Sequence, residues 1–179
     1  MIPLVIGSAF LFVAVFGAVT FTRNQEAINR GSQLEQSQAE MRKCMDALKQ
    51  AKFAEAEEAA RKAVGLMPEL PTPYLFLAKS LSEQGTADRL REAVEAYTLC
   101  LEKDPDREDQ FLGHYGRGQA WLRLGEYRKA EEDFTETLKI KRHFAGAYQD
   151  RAFVRKKLGD AEGAKLDAKR AHELSLSPE

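Results

Sequence analysis

Cysteine is scarce in this chain. Of 179 residues only Cys44 and Cys100 are cysteine, which rules out a disulfide framework and a thiolate zinc site, both of which need clustered ligands. His114, His143 and His172 lie far apart, with no acid or nucleophile at a constant offset from them. There is no Gly-rich phosphate loop, no Cys-x-x-Cys and no His-Glu-x-x-His, so the sequence points away from an enzyme and implies no cofactor and no metal. An excess of charge of one sign is also missing. The formal net charge is −1, which leaves no overall basic footprint for nucleic acid. The paired acids Glu57-Glu58 and Glu131-Glu132 fall in strongly charged stretches and read as solvating groups rather than an acid/base pair.

Residues Ile2 to Phe21 carry no charge. Twenty uncharged residues make a helix of about 30 Å at roughly 1.5 Å per residue, the thickness of a bilayer's hydrocarbon core. A cleavable signal would need a basic start, a shorter apolar run and a small-x-small site. No Lys or Arg precedes Arg23, so a retained transmembrane anchor is expected, ahead of a cleaved signal or a buried core helix. Arg23, Arg30, Arg42 and Lys43 all follow the apolar run, so the positive-inside rule predicts a single-pass membrane protein with its soluble domain on the cytoplasmic, or stromal or equivalent, side. The polar stretch 23–36 reads as a short tether, its first half open to a helical continuation of the anchor.

Beyond it the chain repeats. Ala56, Ala93, Ala130 and Ala164 stand 37, 37 and 34 residues apart, and Gly125-Glu126-Tyr127 recurs as Gly159-Asp160-Ala161. A period in the mid-thirties with a small residue in one fixed slot predicts paired helices stacked into a solenoid. In the stretch around Leu124-Gly125-Glu126 apolar residues recur at helical spacing on both sides. Gly125 suits the left-handed end of one helix, and Glu126 suits the first turn of the next. Trp121 and Leu124 are expected to pack on Tyr127, Ala130 and Phe134, with Gly118 and Ala130 admitting a close approach.

These residues resemble the tetratricopeptide repeat family. Gly118, Trp121, Gly125, Tyr127, Ala130 and Phe134 fill the family's slots in the unit near 111–144. His114 and Arg117 stand where an aromatic and a Leu are usual, and Arg142 where Pro is usual. The unit near 71–107 matches through Tyr74, Leu77, Ala78, Leu81, Gly85, Ala93, Tyr97 and Pro105, with three extra residues after Gly85 that predict an extended turn capped by Asp88. The units near 37–70 and 145–178 match through Cys44, Ala47, Phe53, Ala56, Ala63 and Pro68, and through Tyr148, Ala152, Gly159, Ala164 and Ala171. Both cysteines fall in small slots and read as packing thiols. The expected organisation is therefore all-α: an anchor over 1–22, a tether over 23–36, and a solenoid of about four units over 37–178.

The resemblance implies that the first helices of the units line a concave groove for a protein partner. By phase, the groove residues are Met41, Met45 and Leu48, then Leu75, Lys79 and Ser82, then Tyr115, Gln119, Leu122 and Arg123, then Gln149, Phe153, Lys156 and Lys157. The Lys and Asn pairs with which some members clamp a chaperone's C-terminal carboxylate are missing from those slots, so an extended or helical segment held by apolar contacts and a few charges is expected. The stretch Lys139 to Lys157 has seven cations against Asp150 alone. It reads as a solvated face, an acidic-partner site or a lipid-headgroup site. The function expected from these features is a membrane-anchored scaffold for assembling or stabilising a membrane complex. The alternatives are an accessory subunit of such a complex, an assembly factor of the photosystem I type, and an envelope-biogenesis protein facing the other side.

Overall fold

A computed structural model of the chain describes residues 6–103 and 105–176, with side chains from residue 22 onward. The described residues form eight helices and no strand: α1 (Ile6–Lys49), α2 (Phe53–Leu66), α3 (Thr72–Gln84), α4 (Ala87–Glu102), α5 (Arg107–Leu124), α6 (Tyr127–Ile140), α7 (Ala145–Leu158) and α8 (Ala161–Leu176). Glycine sets the hairpins. Gly85, Gly125 and Gly159 end α3, α5 and α7 with φ of 77°, 79° and 88°, a left-handed conformation that costs glycine nothing and closes the last helical turn. The same place after α1 is held by Ala51, at φ 55°.

Each helix packs on its neighbours in sequence. In addition α1 meets α3, α3 meets α5 and α5 meets α7, whereas the even-numbered helices make no such approach to one another among the described residues. The odd helices therefore form the tight inner layer of a curved stack, and the even helices form the wider outer layer. On that outer layer Glu57 is a hub rather than a freely solvated acid. It accepts from Gln84 at 2.7 Å, from Arg61 at 2.9 Å and from Arg89 at 3.2 Å. Burial opposes its charge, but these donors and cations hold its carboxyl below the usual range.

The packing follows the expected slots. Gly118 has no side chain because the Phe134 ring fills the place where a Cβ would stand. Trp121 and Tyr127 cover Ala130, Phe134 and Val154, while Leu124 turns back onto Leu90 and Val94 of the preceding hairpin. Cys44 and Cys100 are free and fully buried, and burial pushes their thiols up to about 11 and about 12, which leaves almost no thiolate at neutral pH.

Three expectations are corrected. The first is the single-pass membrane placement. Residues 2–21, where the span is expected, lie outside the residues whose side chains are described, and among the described residues no helix is long and apolar enough to cross a membrane. From residue 22 onward α1 carries Arg23, Glu26, Arg30, Glu35, Glu40, Arg42 and Lys43. The second is the tether: residues 23–36 are helical throughout, because α1 runs unbroken into the first hairpin. The first buried side chain of α1 among the described residues is Ser37, whose hydroxyl donates to the Ala63 carbonyl at 3.1 Å. The third is the extended turn capped by Asp88. The extra residues lengthen α4 instead, and Thr86 is its N-cap, accepting from the Arg89 amide at 3.3 Å.

Candidate functional site

The inner layer encloses a groove of about 670 Å³ between α3, α5 and the start of α7. Its floor is apolar: Leu75, Phe76, Phe111, Leu112, Tyr115, Leu122 and Phe144 line it, with Tyr97 reaching in from α4. Tyr97 can do so because Gly116 leaves room; a Cβ there would meet the Tyr97 ring. Phe111, Tyr115 and Phe144 lock one another in place. Phe144 meets Tyr115 edge-on at 4.8 Å between centroids and Phe111 at 5.2 Å, a geometry that favours ring edges over ring faces.

Of the residues placed in the groove by phase, Leu75, Lys79, Ser82, Tyr115, Gln119, Leu122 and Arg123 line this cavity together. Met41, Met45 and Leu48 lie on α1, and Gln149, Phe153, Lys156 and Lys157 on α7, outside it. Met45 and Phe153 are exposed, and Leu75 is buried into the core.

Phase reasoning misses Asp150. This half-buried carboxylate on α7 accepts the Tyr115 hydroxyl at 3.0 Å and the Gln119 amide at 3.4 Å. Burial raises its pKa, with those two hydrogen bonds pulling the other way. Asp109, buried at the opposite edge of the groove, accepts the Thr72 hydroxyl at 2.7 Å, and burial raises its pKa too. Asp150 lies one position beyond Gln149 and meets a partner 35 residues earlier, so nothing in the local pattern marks it. Phase also misses Phe144, which precedes α7 and has no periodic partner.

The basic stretch is largely spent on internal pairs. Lys139 binds Glu136 at 2.6 Å and Lys141 binds Glu108 at 2.8 Å. Arg151 grips Asp167 through two bonds of 2.8 Å, and Arg155 reaches Glu131 at 2.7 Å and Asp167 at 3.0 Å. Arg142, Lys156 and Lys157 remain exposed on the surface. His114 and Arg117, which depart from the repeat pattern, converge on one carboxylate. The His114 ring nitrogen lies 3.0 Å from Asp133, and Arg117 donates to both Asp133 oxygens at 2.9 and 2.8 Å.

Residues 111–144 match the tetratricopeptide repeat family. Over 74 residues the chain is 36% identical to the tetratricopeptide repeat and J domain-containing co-chaperone DNJ1 of Fusarium oxysporum f. sp. lycopersici, an alignment that covers 41% of this chain and 14% of that protein. The chain thus spans about one-seventh of that relative's length. The crystal structure of MamA superposes with a TM-score of 0.69 at 21% identity over 78% of each chain. The first tetratricopeptide domain of Spaghetti (RPAP3), bound to the HSP90 peptide SRMEEVD, superposes with a TM-score of 0.64 at 17% identity, over 70% of this chain and 98% of that one. One stretch of the chain, residues 111–144, thus matches the tetratricopeptide repeat family, and the fold is an α-solenoid of the kind these structures share.

Proposed function

We propose that the chain is a protein-binding scaffold that holds a short segment of another protein in the groove between α3, α5 and α7. One observation carries this reading: an open apolar cavity of about 670 Å³ whose aromatic wall is fixed by ring-to-ring contacts. Such a surface is preformed, so little ordering opposes binding. Met41, Met45, Gln149, Phe153, Lys156 and Lys157 extend the contact along the inner layer to either side of the cavity. The membrane-complex roles expected from an N-terminal span lose their support with it.

The test is selection of peptide binders from a displayed random library against the full chain, followed by binding to a Leu112→Glu variant. Leu112 lines the groove yet is 43% exposed, so the charge blocks the cavity without entering the core. Binding is expected to be lost while helicity by circular dichroism is kept. Unchanged binding to the variant would place the partner elsewhere.

A second reading, co-chaperone adaptor, is favoured by the relative named as a co-chaperone and by the neighbour bound to an HSP90 peptide. The clamp slots Met41, Met45, Leu75, Lys79, Tyr115 and Gln119 hold a single cation, so capture of an acidic C-terminus in the clamp manner has little to draw on. Direct titration with the peptide SRMEEVD separates the two readings: submicromolar binding would favour the adaptor.

A further inference from the structure

The buried and half-buried aspartates of this solenoid fall into two groups. Asp133 and Asp167 are each held bidentate by an arginine of the neighbouring helix. Asp109 lines the groove, and Asp150 is bonded to two residues that line it, Tyr115 and Gln119; neither carboxylate makes an ion pair among the described residues, and their partners are neutral donors, Tyr115 and Gln119 for Asp150 and Thr72 for Asp109. We propose that the groove takes a partner segment bearing a lysine or arginine, whose cationic head is received by Asp150 while the apolar side chains beside it enter the cavity. This rests on the reading of the groove as a peptide-binding site and names the chemistry of its occupant.

The argument is charge complementarity in a place where it counts. Both Tyr115 and Gln119 donate to the same oxygen, Oδ2 of Asp150, so the carboxylate is oriented while its other oxygen stays available. A half-buried carboxylate beside an apolar wall gains more from an incoming cation than one in open water, because screening is weaker there. Guanidinium is the group with which the chain itself satisfies Asp133 and Asp167. The wall also suits a cation: Phe111 already carries the Lys141 ammonium 3.8 Å from its ring centre on one side, the attraction expected of a π-face. The groove's own cations do not meet this need. Arg123 donates to the Ser82 carbonyl at 2.6 Å, and Lys79 stands one turn from Glu83 on α3, both of them groove-lining.

The experiment uses three capped, fluorescently labelled peptides, identical apolar segments except for a central Arg, Leu or Glu, titrated by anisotropy into the full chain and into Asp150→Asn. The Arg peptide is expected to bind about tenfold tighter than the Leu peptide, as one charge-assisted hydrogen bond implies, and the Glu peptide weakest of the three. Asp150→Asn keeps the shape and should erase the Arg advantage while leaving the Leu peptide's affinity unchanged. The advantage should also shrink at high salt. Equal binding of Arg and Leu peptides, or an Arg advantage that survives in Asp150→Asn, overturns the cation proposal and leaves the groove reading standing. Failure of all three peptides to bind overturns both.

Discussion

The two halves of the solenoid solve one packing problem with opposite chemistries. In the first half, α1 to α4 meet through small apolar residues: Cys44, Ala56, Ala60, Ala63, Ala78, Ala93 and Cys100 are fully buried. In the second half the helices are joined by ion pairs. Counting from the hairpin glycines, Leu77 on α3 occupies the slot of Arg117 on α5 and Arg151 on α7; counting from the repeat alanines Ala93, Ala130 and Ala164, Ala96 on α4 occupies that of Asp133 and Asp167. The first half thus puts Leu against Ala where the second half twice puts Arg against Asp. Each arginine also donates to a threonine, Arg117 to Thr98 of the preceding hairpin and Arg151 to Thr135 of the preceding hairpin, so each pair stitches three helices together. The fold demands that the slot be filled and satisfied, and is indifferent to how.

That indifference can be broken. Arg117→Ala removes both bonds to Asp133 and leaves a carboxylate with a side-chain exposure of 5% to His114 alone. Truncating one partner of a buried pair costs about 3 kcal/mol, whereas replacing both by apolar groups of suitable size is close to neutral. Chemical denaturation should therefore show a large loss for Arg117→Ala and recovery to within about 1 kcal/mol of the wild type for Arg117→Leu with Asp133→Ala, which copies Leu77 and Ala96. A double variant as unstable as the single one would mean that the ion pair does more than fill a slot.

The first half is sensitive to volume instead. Ala60 is fully buried between α2 and its neighbours, where close packing leaves no room for three further carbons. Ala60→Leu should cost about 2 kcal/mol through overpacking. Ala54→Leu, on the exposed face of the same helix, should change stability by less than about 0.5 kcal/mol. Similar losses at both sites would show that the α2 core is looser than the close-packed alanines suggest.

Sequence periodicity carries the backbone of this architecture but little of its chemistry. The glycine and alanine slots are legible because each answers to a local constraint, a left-handed turn or a close helix approach, that repeats with the period. The Arg-to-Asp spacing of 16 residues is periodic too, since Arg117 and Asp133 recur as Arg151 and Asp167 34 residues later. A local count of charges hides it, because the acid that neutralises each arginine lies on the next helix, outside the basic stretch. The groove is half legible. Phase brings Tyr115, Gln119, Leu122 and Arg123 to one face, yet it says nothing of Asp150 or Phe144, whose contacts cross from one hairpin to the next. The apolar run at the start of the chain shows the opposite failure, where a strong compositional signal leads to a membrane placement that the described helices do not support.

The hairpin turns offer the finest comparison of the two halves. Gly125 and Ala51 hold the same place, at φ 79° and 55°. For an L-residue this region costs roughly 1 kcal/mol, because Cβ crowds the following carbonyl. A Cβ on Gly125 would meet no atom within 4 Å, so Gly125→Ala tests the dihedral alone and should lose about 1 kcal/mol. Ala51→Gly should do the reverse, less fully. Relief of the left-handed strain is offset by the greater freedom of glycine in the unfolded chain, about 0.4–1 kcal/mol, so the net gain is at most about 0.5 kcal/mol. Differential scanning calorimetry on the two variants would read both. If Ala51→Gly destabilises the chain, the N–H of Lys52, which donates to the Ala47 carbonyl at 2.9 Å, is already holding that turn against the strain, and the first hairpin is closed by its hydrogen bonds rather than by its dihedral preference.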